Sequence, residues 1–85
     1  MHFEWDPQKS KINADKHGID FETATALWED EKRVEIEAPY PIENRHIIIA
    51  KLSDKLWTAV FTYRQKNIRL ISVRRARKKE RVLYE

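Results

Sequence analysis

The 85-residue sequence predicts an α+β fold: two N-terminal helices and a C-terminal helix packed on a small, mostly antiparallel sheet. Three observations predict it. Apolar residues in the first third recur at helical spacing between residues that cap helices. From Arg33 onward the period drops to two, and β-branched residues gather in runs joined by short turns. After the last run, "ARKKERVLY" returns to helical composition.

Residues 2–5, "HFEW", read as a short strand. Asp6 offers an N-cap and Pro7 fills the first helical position, where its missing N–H costs nothing. That helix covers 7–17 and stops at Gly18, the residue best suited to a left-handed C-cap, with Ile19 closing the cap. Asp20 caps a second helix over 21–30. Glu22 and Thr23 suit its first turn, and Phe21, Ala24, Leu27 and Trp28 form its apolar face. Residues 33–38 alternate, with Val34 and Ile36 on one side and Glu35 and Glu37 on the other. "PYPIEN" is a loop. Strands over 45–53, 56–64 and 68–74, joined by "SDK" and "QKN", form an antiparallel meander. A helix over 76–84 follows, with Ala76, Val82 and Leu83 as candidate core contacts. The helices should cover one sheet face. The other should stay partly open, because Thr58, Thr62 and Arg64 interrupt it, as does Arg69 beside Ile71 and Val73. The length gives room for one domain, residues 1–85.

Composition narrows the chemistry. There is no cysteine, so disulfides and thiolate-ligated metals are excluded, and a cytoplasmic location is expected. With one glycine, the chain has no phosphate-cradling loop or dinucleotide fingerprint. His2, His17 and His46 show no ligand spacing, and Ser10, Ser53 and Ser72 lie in no nucleophile elbow. The expectation is a protein without metal or cofactor, and without a secretory signal or membrane span.

The net charge of +3 conceals an asymmetry. Residues 64–85 hold nine cations and two carboxylates, whereas residues 1–63 hold eight and twelve. Such a basic end fits a polyanion partner or a solvated helix face. Arg64 and Arg69 flank the "QKN" turn, and Arg74 and Arg75 stand at the other end of the sheet. Arginine stays charged and its planar fork matches phosphate. In the alternative, Arg74 or Arg75 pairs with Glu80 or Glu85 and anchors the last helix instead. Tyr63, Trp57 and Tyr84 are candidates for base stacking or for core and rim packing. His17 is a candidate acid or base, or a ligand for the terminal carbonyls of its own helix.

The stretches "FEWDPQKSKINADKHGIDFETA", "RHIIIAKLSDK" and "VFTYRQKNIRLISVRRARKKERVLYE" together resemble the BrnT family of bacterial type II toxins, over nearly the whole chain. Where such sequences carry glycine, this one has Ala50 and the "SDK" turn. The resemblance implies a fold similar to RelE-type toxins and an RNA-cleaving activity that blocks translation and arrests growth. It also implies a BrnA-like ribbon–helix–helix antitoxin as partner, through which alone the toxin meets operator DNA. Metal-independent cleavage uses the RNA 2′-hydroxyl as nucleophile. On this reading Arg64, Arg74, Arg75, Glu80 and His17 are the catalytic candidates, and Arg69, Tyr63, Tyr84, Lys78 and Lys79 the substrate-binding ones. Proton transfer would fall to His17, Glu80 or Tyr84. The competing reading is a module that binds nucleic acid or an acidic partner without cutting.

Overall fold

The computed structural model describes residues 2–38 and 43–85. The expected "PYPIEN" loop lies outside the described residues except for Glu43 and Asn44. Five strands form one sheet in the order β1-β5-β4-β3-β2: β1 (His2–Glu4), β2 (Val34–Ala38), β3 (Arg45–Leu52), β4 (Lys55–Arg64) and β5 (Asn67–Arg75). β2 to β5 pair antiparallel in chain order, and β1 joins β5 in parallel.

The first helix, α1 (Pro7–His17), has the expected ends. The Asp6 side chain accepts from Gln8 N–H, and Gly18 sits at φ 78° with its N–H on the Ala14 carbonyl. A Cβ on Gly18 would meet nothing within 4 Å, so the left-handed backbone alone demands glycine here. α1 is tied to the sheet by polar groups. Buried Asn13 donates to the Val73 carbonyl at 2.9 Å and the Ile19 carbonyl at 2.8 Å, and accepts from Val73 N–H at 3.1 Å. β1 pairs only as far as Arg69, so Asn13 supplies the hydrogen bonds that a longer neighbouring strand would give Val73. Ser10 Oγ likewise accepts from Phe21 N–H.

The second helix differs from expectation. Only Phe21–Ala24 is α-helical (α2), and Thr25–Glu29 is a 3-10 turn. Phe21, Ala24 and Leu27 are all buried and are spaced by three. In a 3-10 coil such residues eclipse one another, so tightening the helix keeps one narrow apolar line on the sheet.

The core lies between the sheet and α1, α2 and the 3-10 turn. Phe21, Leu27, Ile48, Ala59, Phe61, Ile68, Leu70 and Val73 are at its centre, with Phe3, Trp5 and Trp28 packed against it. A bulge in β5 shapes the sheet. Val60 pairs with Ser72 and Phe61 with Leu70, which leaves Ile71 without a partner. The bulge turns Val73 onto the helix-bearing face and buries it. Val73 is therefore not beside Arg69 on the open face, as strict alternation had implied.

The last helix, α3 (Lys78–Tyr84), corrects the expected layout. Adjacent strand residues point to opposite faces. Trp57 belongs to the core beneath the N-terminal helices, while Thr58 donates to Glu80 of α3. α3 therefore packs on the opposite face of the sheet. Ala76 is buried as expected, but Val82 and Leu83 are 64% and 55% exposed. Among the described residues, no helix is long and apolar enough to cross a membrane.

Candidate functional site at the end of strand β5

Strand β5 ends in consecutive arginines, and the alternation of a strand sends them to opposite faces. Arg74 lies against α3. Its guanidinium meets Glu80 with two parallel hydrogen bonds of 2.8 Å each. The same carboxylate accepts from Thr58 Oγ1 at 2.9 Å and from Arg77 N–H at 2.7 Å. The Arg74 hydrogen bonds, with those from Arg77 and Thr58, hold the Glu80 carboxyl down to about 2 against the opposing effect of burial. Arg74 and Glu80 thus form a half-buried clamp fixing the first turn of α3 to the sheet. This is the helix-anchoring alternative recognised in the sequence.

Arg75 lies on the other face, exposed, with its guanidinium carbon 5.5 Å from the centre of the Trp57 ring. Trp57 also lines a hollow with Gly18, Ile19, Thr23, Leu52, Ser53 and Lys55. His17 immediately precedes Gly18, so it stands at the same end of the molecule as Arg75. Among the described residues no hydrogen bond joins its ring to the end of α1, where Gly18 N–H takes the Ala14 carbonyl instead. Beyond β5, Arg77, Lys78 and Lys79 are exposed and border a second hollow beside Glu80. Residues 75–79 thus present four solvent-facing cations, Arg75 on the side of Trp57 and Arg77, Lys78 and Lys79 on the side of α3.

Other candidates lie elsewhere. Arg64 is exposed at the "QKN" turn, roughly 20 Å along β4 from Thr58, the register partner of Arg74. Arg69 pairs with Glu4 at 3.0 Å. Hydrogen bonds from Asn67 and Arg69 hold Glu4 below the usual carboxylate range, and the charge of Arg64 adds to this. Tyr63 is 47% exposed and donates to Glu35 at 2.9 Å, with its ring edge-on to His46 and Phe61. Burial and that carboxylate push its hydroxyl up, which leaves it a donor. Tyr84 is half-buried and donates to Asp30 at 2.7 Å, which raises its pKa.

Sequence reasoning passed over several residues that fix this geometry. Asp30 closes the far end of α3. It accepts from Tyr84 and Lys51 N–H through one oxygen and from Lys32 N–H through the other. Burial pushes its carboxyl up, but these hydrogen bonds outweigh that and leave it below its ordinary value. Thr58, fully buried, steadies Glu80. The spacing Arg77-x-x-Glu80 carried a capping signal, because a glutamate at the third helical position can reach back to the cap N–H, as it does here. Arginine at the cap hid it. His46 and Glu35, 3.5 Å apart, carried no local signal, since cross-strand register brings them together.

The arrangement suits following a phosphate chain around this end of the sheet: a fixed backbone with exposed cations on both sides of it and one histidine at the same end. Among the described residues, no three His, Cys, Asp or Glu side chains converge as a metal site would need. Residues 5–80 match the family model described as "Ribonuclease toxin, BrnT, of type II toxin-antitoxin system". Among curated proteins, none matches the chain.

Proposed function

We propose, for a chain that belongs to the BrnT family of ribonuclease toxins of type II toxin–antitoxin systems, that RNA is held and cut without a metal ion where β5 meets α3. The observation that carries this reading is the Arg74–Glu80 clamp, which fixes the turn from β5 into α3, with exposed Arg75 on one side of the sheet and Arg77, Lys78 and Lys79 on the other. In the reaction the RNA 2′-oxygen attacks the adjacent phosphorus and the bond to the 5′-oxygen breaks. The products are a 2′,3′-cyclic phosphate and a 5′-hydroxyl. Arg75 and its neighbours balance the charge that grows on the phosphoryl oxygens. Arg74 and Glu80 act as positioning residues.

Of the three groups considered for proton transfer, Glu80 is the poorest base, being held at about 2 and saturated with hydrogen bonds. The hydroxyl of Tyr84 is committed to Asp30. His17 remains, next in sequence to Gly18 at the hollow that Trp57 shares, and imidazole is the side chain most often used for general acid–base catalysis. Growth arrest then follows from loss of translatable RNA. The partner is a BrnA-like ribbon–helix–helix antitoxin, through which the complex reaches operator DNA. Incubating the purified toxin with RNA in EDTA tests the reaction. Cyclic-phosphate ends on RNA, and intact DNA of the same sequence, are expected. Cleavage that stops in EDTA and returns with a divalent ion overturns the metal-free mechanism.

A further inference from the structure

A short surface helix ordinarily turns its apolar side inward. In α3 the arrangement is reversed. Glu80 and Tyr84, one turn apart, face the body and bond to Arg74, Thr58 and Asp30. Val82 and Leu83 face solvent, 64% and 55% exposed. Each follows a lysine by one helical turn, Lys78 before Val82 and Lys79 before Leu83, so apolar and cationic side chains alternate along the outer face. Nothing among the described residues covers this face.

We propose that this outer face of α3 is where the antitoxin docks, through an acidic amphipathic segment that places aliphatic side chains on Val82 and Leu83 and carboxylates on Lys78 and Lys79. The proposal rests on membership of a family controlled by an antitoxin. Charge selects the occupant. Residues 74–81 hold six cations and one carboxylate, and that carboxylate, Glu80, is already engaged by Arg74. A second copy of this chain would bring lysines against lysines. RNA supplies phosphates for the lysines but no aliphatic cover for Val82 and Leu83. An acidic, leucine-rich segment supplies both. Docked there, it lies over Lys78 and Lys79 and takes the place of the RNA backbone, so neutralisation follows from occlusion.

The test is titration calorimetry of the toxin against the antitoxin encoded with it, using wild type and the double variant Val82→Ser, Leu83→Ser. The two side chains are already exposed, so melting temperature and RNA cleavage are expected to stay at wild-type levels. Antitoxin affinity is expected to fall roughly tenfold to hundredfold, the loss of two aliphatic contacts. Lys78→Glu with Lys79→Glu is expected to weaken binding further and reduce its dependence on salt. A folded, RNA-cleaving double variant that binds antitoxin as wild type does overturns the docking surface. So does sedimentation showing that Val82 and Leu83 instead hold two copies of the toxin together. Failure of the wild-type toxin to bind the antitoxin at all is a different result: it brings down the toxin reading along with the proposal.

Discussion

Asn13 shows how much one side chain carries. Its carboxamide satisfies the Val73 N–H, the Val73 carbonyl and the Ile19 carbonyl in a site closed to water. Asn13→Ala leaves these groups buried and unpaired, and is expected to cost about 2–4 kcal/mol, read as a lower urea midpoint at unchanged slope. Asn13→Asp is expected to be worse, since a carboxylate would face two carbonyls. Nothing in the sequence distinguished Asn13 from a solvent-facing asparagine, because its partner lies 60 residues away. Glu80 was legible, since its charge stands out among cations, but its role depends on geometry. Its folded pKa of about 2 lies below the ordinary 4.5, so the clamp stabilises fully above that ordinary value and is lost as pH falls toward 2. Melting temperature should therefore drop across that window. Glu80→Gln should remove part of the slope, leaving the share of Glu4, Asp20 and Asp30, whose carboxyls are also held low. An unchanged slope in Glu80→Gln would mean that the clamp does not bind the helix down.

At the scale of elements, the signals that survived were local ones: caps, alternation and turn positions. Asp6, Pro7 and Gly18 placed α1 to the residue. The signals that failed depended on a neighbour. The spacing of Phe21, Ala24 and Leu27 fits a coil of three residues per turn as well as an α-helix, and packing on the sheet decides between them. The bulge at Ile71 reassigns Val73 to the core, which strict alternation misses. Val82 and Leu83 read as core because apolar residues usually are, yet α3 is fastened by Glu80 and Tyr84 instead. Tyr84→Phe should therefore loosen the end of α3, seen as faster amide exchange at Arg81 and Glu85 with global unfolding unchanged. The β3–β4 turn lacks glycine and still adopts left-handed backbone, Ser53 at φ 53° and Asp54 at φ 63°. A two-residue turn with both residues left-handed favours Asn-Gly. Replacing Ser53-Asp54 with Asn-Gly should stabilise the hairpin by about 1 kcal/mol in chemical denaturation, by relieving the strain of L-residues there.

For the whole molecule, the basic end visible in the sequence resolves into three arginine environments. Arg69 is neutralised by Glu4 and Arg74 by Glu80, while Arg75 faces solvent beside Trp57. Sequence alone treated Arg74 and Arg75 alike, because neighbours in a strand differ only once the two faces have different cover. The distinction yields a test that separates catalysis from folding. Arg75→Ala removes an exposed side chain and should change stability by less than ~0.5 kcal/mol. If Arg75 stabilises the phosphoryl charge, RNA cleavage should fall about a hundredfold. Arg75→Lys should restore only part of it, since the charge returns without the fork. Arg74→Ala strands Glu80 in a half-buried site, so it should lower stability on the order of 1–2 kcal/mol and lose activity through displacement of α3. His17→Ala should lower the single-turnover cleavage rate while leaving RNA affinity near wild type. Both single-turnover rates and RNA affinity need measuring, because a residue that only binds changes affinity and leaves the rate at saturating RNA alone. Wild-type cleavage by folded Arg75→Ala would move the reaction away from the end of β5. Exposed Arg64, at the far end of the sheet, would then be the next arginine to replace.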